Sequence, residues 1–416
     1  MNNDMRAYWV WLQAGLGIQG RAAEIVASFS SPKEMFEAGQ TEWRLTGALT
    51  SKQIQRLGIY SPEQASTTVR QCEKNGWKLV TPDCIDYPPL LFKLNNFPVV
   101  LYTWGDLSCL TGKMSIAVVG SRSASLYSID VAGRLSASLA RASAVVISGG
   151  ALGVDSAAHT GALFGAGKTV AVLGCGLDAN YLMSSYAMRA QIAENGAVVS
   201  EYPPDTPALG QNFPIRNRLI SGLSYGTVVI EAGIKSGSLI TASYALEQGR
   251  DVFAVPGDII NSSYSGTNKL IRDGAKPVFS AADVLEEYAY RYPDMVSLDL
   301  LETNLSDVPE MLDGNRNAKR KTASKAESPI TAQAPQKTSA QQPAQKPTLQ
   351  KQMRLLPESI SENTRLVYSK FLPEPMHIDD IVRASLLEPT NVFIALTELE
   401  IYGFIELISG KRYVLI

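Results

Sequence analysis

The sequence predicts a doubly wound α/β fold in the middle of the chain, set between a small helical region and a C-terminal winged-helix arrangement. Three observations predict it. Short β-branched runs alternate with helical stretches through residues 115–277, the pattern of parallel βαβ units. Most of those runs end in Gly or a small polar residue, as in Gly120-Ser121, Ser148-Gly149-Gly150, Gly174-Cys175-Gly176 and Pro256-Gly257. Residues 355–416 read as three helices followed by a hairpin.

Taken in order, residues 1–75 form short helices. Trp9, Leu12 and Leu16 share one helical face, and Gly15-Leu16-Gly17 and Leu45-Thr46-Gly47 are stops. Such helices resemble helix-hairpin-helix modules only weakly, and a small packing domain is the better reading. Residues 76–290 hold the α/β part. Its strands are Ile116–Val119, Val145–Ile147, Val170–Leu173, Val198–Val199, Val228–Ile230 and Val252–Val255, with helices such as Ile129–Ala142 and Leu239–Gln248 between them. In open α/β sheets, ligands bind beyond the carboxyl ends of the strands. Residues 291–354 form a linker. Within it, residues 314–354 are rich in Ala, Gln, Lys, Pro, Ser and Thr without apolar periodicity, which predicts disorder. In residues 355–416 the helices are Thr364–Phe371, Ile378–Ala384 and Thr390–Tyr402. The hairpin strands Phe404–Ile408 and Tyr413–Ile416 flank Ser409-Gly410-Lys411-Arg412.

Composition narrows the function. The chain has 416 residues, 38 Lys+Arg and 40 Asp+Glu. Its near-neutral balance hides a block of net −8 at 281–313 and one of net +8 at 314–354. The basic block reads as a solvated tether rather than a DNA-binding arm. No apolar run is long enough to span a membrane, and the N-terminus lacks a signal-peptide pattern. Four Cys without metal-like spacing and two His argue against zinc and a disulfide scaffold, and favour a reducing cytoplasm.

The first strand leads into Gly120-Ser121-Arg122-Ser123. A dinucleotide site needs G-x-G-x-x-G there and an acidic residue about 20 positions on. Neither is present, so NAD is disfavoured and no cofactor is expected. Arg122 at a strand end before a helix suits an anion. Downstream of Gly149-Gly150, Asp155 is placed to cap a helix. Asp155 and His159 stand four apart on that helix, a spacing that favours a structural hydrogen bond over an acid/base pair.

The run Asn212-Phe213-Pro214-Ile215-Arg216-Asn217-Arg218 joins an aromatic ring to two cations. Single-stranded nucleic acid needs both. Read alone, the run fits that chemistry as well as it fits a core Phe beside solvated arginines. Lys235 precedes Ser236-Gly237-Ser238 at another helix start, and Lys269 follows Gly266-Thr267-Asn268. Both are further anion-site candidates. Several such sites along one sheet edge suit a polyanion better than one nucleotide. The third C-terminal helix carries Glu398 and Glu400 and no Lys or Arg. Phosphate attraction dominates DNA affinity, so a protein contact is favoured there.

Together these segments resemble the DprA/Smf family of DNA-processing proteins. The resemblance rests on Val119-Gly-Ser-Arg122, Ser148-Gly-Gly-Ala-Leu-Gly-Val-Asp155 with Ala158-His159, Val172-Leu-Gly-Cys-Gly-Leu-Asp178, Ser200-Glu-Tyr202, Phe213-Pro-Ile-Arg-Asn-Arg218, Ser236-Gly-Ser-Leu-Ile-Thr-Ala242, Ala254-Val-Pro-Gly257 and Gly266-Thr-Asn268. One departure is Tyr181-Leu182-Met183, where the family has Tyr-Pro. The resemblance implies an extended Rossmann-like fold that binds single-stranded DNA, forms a homodimer and hands the strand to the RecA recombinase in natural transformation. It implies no catalysis. It also implies a DNA pocket lined by Arg122, Gly149, Gly150, Phe213, Arg216 and Arg218. Ser121 and Asn217 belong to the same turns, and Lys235 and Lys269 are added from their spacing. The rival reading is a nucleoside-monophosphate phosphoribohydrolase-like enzyme using Glu231 with Arg122. Its Gly-Gly-x-Gly-Thr-x-x-Glu loop is absent.

Overall fold

The computed structural model describes residues 4–18, 20–179, 186–297, 299, 305–308, 360–371, 374–385, 387–401, 404–408 and 412–415. It divides into two compact units, Met1–Ala326 and Glu327–Ile416.

The first unit begins with five helices: α1 (Met5–Leu16), α2 (Ala22–Ser28), α3 (Pro32–Leu45), α4 (Ser51–Ile59) and α5 (Pro62–Lys74). Side-chain caps start most of them. Thr50 with Gln53 and Ser61 with Gln64 form capping boxes, which satisfy N–H groups the helix leaves open. α1 and α3 stop at the Gly-containing turns marked in the sequence. Trp9, Leu12 and Leu16 are all buried.

A nine-stranded sheet follows. Its strands are β1 (Lys78–Val80), β2 (Leu101–Gly105), β3 (Ser115–Val119), β4 (Val145–Ser148), β5 (Thr169–Leu173), β6 (Gly196–Ser200), β7 (Gly226–Val229), β8 (Asp251–Ala254) and β9 (Lys276–Pro277). The spatial order is β1-β2-β6-β5-β4-β3-β7-β8-β9. From β6 to β9 all neighbours are parallel, while β1 and β2 are added antiparallel beside β6. The six strands read from the sequence are present. β1, β2 and β9 were not read. Two of them are only two or three residues long, and β2 stands beyond a Pro-rich stretch.

The connecting helices are α6 (Leu126–Arg141), α7 (Val154–Phe164), α8 (Tyr186–Glu194), α9 (Asn212–Gly222), α10 (Ser238–Glu247), α11 (Ser265–Arg272) and α12 (Ala282–Ala289). Ile116, Val118, Val146 and Phe253 share one core cluster with residues of α6, α7 and α12. A second cluster joins Ile147, Val172 and Val199 to Trp11 and Leu12 of α1. The N-terminal helices and the sheet therefore share a core.

β3 marks the point where strand order reverses. The chain runs from β3 through β4 and β5 to β6, then crosses back to place β7 on the other side of β3. Val119 pairs in register with Val229. The two carboxyl ends finish together and open a crevice between their loops.

Packing in the first unit does not end at residue 290. Val308 is fully buried, and the carbonyls of Leu305 and Val308 accept from Nη1 of Arg134 on α6. The expected linker thus has an ordered start where Arg134 captures its backbone. Residues 314–354 and Tyr181-Leu182-Met183 lie outside the described residues.

The second unit contains α13 (Glu362–Ser369), β10 (Met376–His377), α14 (Ile378–Ser385), α15 (Pro389–Ile401), β11 (Ile405–Ile408) and β12 (Arg412–Leu415). Its sheet order is β10-β12-β11, all antiparallel. Val367, Phe371, Ile381, Val392, Leu396 and Ile405 form its core. This is a winged helix, with β10 the one strand among its described residues that the sequence did not show.

Candidate nucleic-acid interface

A cavity of about 430 Å³ occupies the crevice beyond β3 and β7. Its wall comes from three strand ends and from three helices. The β3 turn gives Ser121 and Arg122, the β4 loop gives Ala151, the first turn of α7 gives Asp155, and α9 gives Phe213, Arg216 and Asn217. The segment after β7 and the first turn of α10 give Ser236, Ser238 and Thr241.

Arg122 is exposed, and its guanidinium carbon lies 4.9 Å from the centre of the Phe213 ring. This cation–π contact holds a mobile charge over a partly exposed aromatic face. The turn carrying Arg122 is braced from β4. Val154 N–H donates to the Ser121 carbonyl at 3.2 Å. Gly153 has φ +77°, and a Cβ there would fall 2.4 Å from the same carbonyl oxygen. Only glycine permits that approach.

Arg216 forms the floor rather than an open contact. It is 3% exposed. Its Nη1 donates to the carbonyl of Gly149 at 2.8 Å and to that of Val172. It thereby ties the ends of β4 and β5 to α9. Asp155 beside it is pushed above the usual carboxylate range by burial, against the pull of the Arg216 charge. Gly149 makes this possible, because a Cβ there would stand 2.5 Å from Asp155 Oδ2 and 2.8 Å from Arg216 Nη2.

Several of the expected site residues lie outside the cavity wall. Arg218 is 2% exposed and is absent from the cavity wall. Its Nη2 donates to both carboxylate oxygens of Glu201, at 2.7 and 2.6 Å. Helical rotation is the reason: five residues after Phe213, position 218 has turned about 140° away from it. Gly149 and Gly150 are also set back from the wall. The first makes room for side chains, as described, and the second has φ +66° in the turn. Lys235 is exposed next to wall residue Ser236, and Lys269 is exposed on α11; neither lines the cavity.

The N–H groups expected to face a ligand at the start of α10 are engaged. Those of Ser238, Leu239 and Ile240 are bonded to Ser236 Oγ, the Ser236 carbonyl and the Gly237 carbonyl. α10 contributes its hydroxyls and the positive end of its dipole.

The expected hydrogen bond between Asp155 and His159 is not formed, and Gly153 rather than Asp155 stands at the N-cap of α7; each side chain has a separate partner. Asp155 turns to the Ala151 N–H, at 3.3 Å, and to the Arg216 charge. His159 is fully buried, and its Nδ1 lies 2.7 Å from Thr169 Oγ1. Its Nε2 has no partner among the described residues. Burial lowers its pKa to about 3, so it stays neutral. The sequence missed Asp155 as a wall residue. Its place just inside a helix after Gly153 was the available signal.

Glu231, the rival catalytic carboxylate, is 1% exposed and absent from the wall. Its Oε2 accepts from the Ser125 backbone and hydroxyl, both at 2.9 Å, holding the N-cap of α6.

Comparison with known proteins follows the same outline. Residues 78–289 match the family model described as DNA recombination-mediator protein A. Residues 338–411 match the DprA winged helix domain. Protein Smf of Synechocystis is 32% identical over 99% of both chains. Protein Smf of Escherichia coli is 40% identical over 58% of this chain, and the match spans 65% of that protein's length. The crystal structure of DNA processing protein A from Streptococcus pneumoniae superimposes with a TM-score of 0.61. It is 32% identical and covers 69% of this chain and 99% of that one. On the shared sheet, the winged helix and the full-length relative, the chain belongs to the DprA/Smf family of DNA-processing proteins.

Proposed function

We propose that the protein binds single-stranded DNA in the β3–β7 crevice, without catalysing a reaction on it. The observation that carries this reading is the exposed Arg122 guanidinium stacked over a half-buried Phe213 at the switch point of the sheet. A phosphate takes the guanidinium, and a base takes the ring it leaves. The wall draws on the carboxyl ends of β3, β4 and β7 together, which suits a continuing strand. Ser121 and Asn217 supply polar contacts from the wall. Lys235 and Lys269, both exposed, add positive charge outside the wall.

The family description as a recombination mediator supports a role in recombination; we infer that a homodimer in the cytoplasm delivers the bound strand to the RecA recombinase in natural transformation. Under this reading residues 1–75 are a packing module and 76–290 the DNA module. Residues 291–354 are then the tether, and 355–416 a protein-contact module. The alternative, base release from a nucleoside monophosphate, is opposed by the captive Glu231 carboxylate.

Fluorescence anisotropy with a labelled oligo-dT tests the proposal. Arg122→Ala weakens binding roughly tenfold, and the slope of log K against log salt falls by about 0.7. Phe213→Ala weakens it by about 1–3 kcal/mol with the slope intact. Unchanged affinity in both variants removes the site. Steady release of base from AMP or CMP establishes the enzyme instead.

A further inference from the structure

The Glu201–Arg218 pair is a buried ion pair that the crevice does not use. Both side chains are nearly sealed, at 5% and 2% exposure. One nitrogen, Nη2, makes both hydrogen bonds, while Arg218 Nε and Nη1 have no hydrogen-bond partner among the described residues. Burial raises the Glu201 pKa against the pull of Arg218. An ion pair with unmet donors contributes little net stability, and apolar replacements of similar volume often fold as well or better. Its presence therefore points to a role other than stability.

What the pair joins identifies that role. Glu201 directly follows β6, and its carbonyl accepts from Gln13 Nε2 of α1 at 2.8 Å. Gln13 Oε1 in turn accepts from Tyr102 of β2 at 2.8 Å. The next residue, Tyr202, donates its hydroxyl to the carbonyl of Asn212, the first residue of α9, at 3.3 Å. Arg218 stands on the buried side of α9, and its carbonyl accepts from Gln248 at 2.9 Å. The same helix carries Phe213, Arg216 and Asn217 on its crevice side. Apolar contacts alone let a helix roll, whereas a guanidinium gripping both carboxylate oxygens has one orientation.

We propose that Glu201 and Arg218 are positioning residues: their pair fixes the roll of α9 and so sets Phe213 beneath Arg122 for single-stranded DNA. The proposal rests on the DNA reading above.

The test uses the full chain and the oligo-dT assay, with urea unfolding in parallel. The double variant Glu201→Leu/Arg218→Met is expected to unfold at the same or higher urea while binding at least fivefold more weakly. Its salt slope stays at the wild-type value, because no phosphate contact is lost. Arg218→Lys keeps the charge, loses the two-oxygen grip and should bind about threefold more weakly. It serves as the readout should the double variant fail to fold. Wild-type affinity in the variants that fold overturns the proposal, and so does a reduced slope, which would make Arg218 a phosphate ligand. Arg122→Ala is the control arm. If it also binds as wild type, the DNA site itself is at fault and the positioning role falls with it; if it alone weakens binding, only the positioning role falls.

Discussion

The β3–β7 crevice and the third helix of the winged helix are the two places where folds of these kinds meet nucleic acid, and they carry opposite charge. At the crevice an exposed Arg122 covers Phe213. On α15 the charged residues are Glu398 and Glu400. Glu398 is also occupied, accepting from the hydroxyls of Thr364 and Ser361 at the start of α13. A fold supplies a location, and side-chain charge decides what that location attracts. The same distinction operates inside the crevice. Arg122, Arg216 and Arg218 have one formal charge each, but only the first is free to meet a ligand.

The largest expected effect tests that internal contrast. Arg216→Ala takes the stronger cation from the buried Asp155, leaving it only the weaker pull of Arg122, and frees the carbonyls of Gly149 and Val172. Breaking such a buried pair costs about 3–5 kcal/mol. Urea unfolding should show that loss, and DNA binding should then fail through unfolding. A variant as stable as wild type would show that Arg216 is not the floor of the site.

Next comes removal of the open pair. Arg122→Ala/Phe213→Ala should weaken oligo-dT binding roughly a hundredfold, through lost stacking together with one lost phosphate contact, while urea unfolding stays near wild type. If binding survives, the positive edge alone is sufficient and the crevice is not the site.

Acid should separate the two units. His159 has a folded pKa of about 3, below the unfolded value near 6.5. Between those values the unfolded chain binds the additional proton, so the stability this neutral imidazole allows is fully present above pH 6.5 and falls as pH drops. At pH 5 this group alone accounts for a loss of about 2 kcal/mol. The five Trp, at positions 9, 11, 43, 77 and 104, all belong to the first unit. Trp fluorescence therefore reports that unit alone. His159→Gln should flatten the pH dependence between 7.5 and 5 even if it lowers stability throughout. An unchanged slope would place the acid sensitivity elsewhere.

Much of this contrast was legible beforehand, for identifiable reasons. The six parallel strands announce themselves as β-branched runs, most of them ending in glycine or a small polar residue, and Arg122 stands where such a strand stops. The C-terminal helices and hairpin were readable from their periodicity, with the acidity of α15 in plain view. The three arginine roles were not fully readable. Arg216 and Arg218 are separated by Asn217 on a helix whose rotation, about 100° per residue, turns each to a different surface. Glu201, the partner of Arg218, is distant in sequence, and nothing local shows that the two meet. β1 and β9 are too short for a period-2 signal, and their pairing is decided by the neighbouring strands.

The smallest expected effect bears directly on the opening contrast. Deleting residues 355–416 removes α15 with its two glutamates and the rest of the winged helix. Phosphate contacts set most of the affinity for a nucleic-acid strand, and Arg122, Phe213 and the α10 dipole all remain. Oligo-dT affinity should therefore stay within about twofold of wild type, with an unchanged salt slope. A small gain is the more informative direction, since the deleted segment carries 9 acidic against 5 basic residues and its loss relieves repulsion of the strand. A loss of tenfold or more, with a shallower slope, would mean that cations of the wing itself, such as Arg412, touch phosphate. The acidity of α15 would then have been the wrong face of that unit to read.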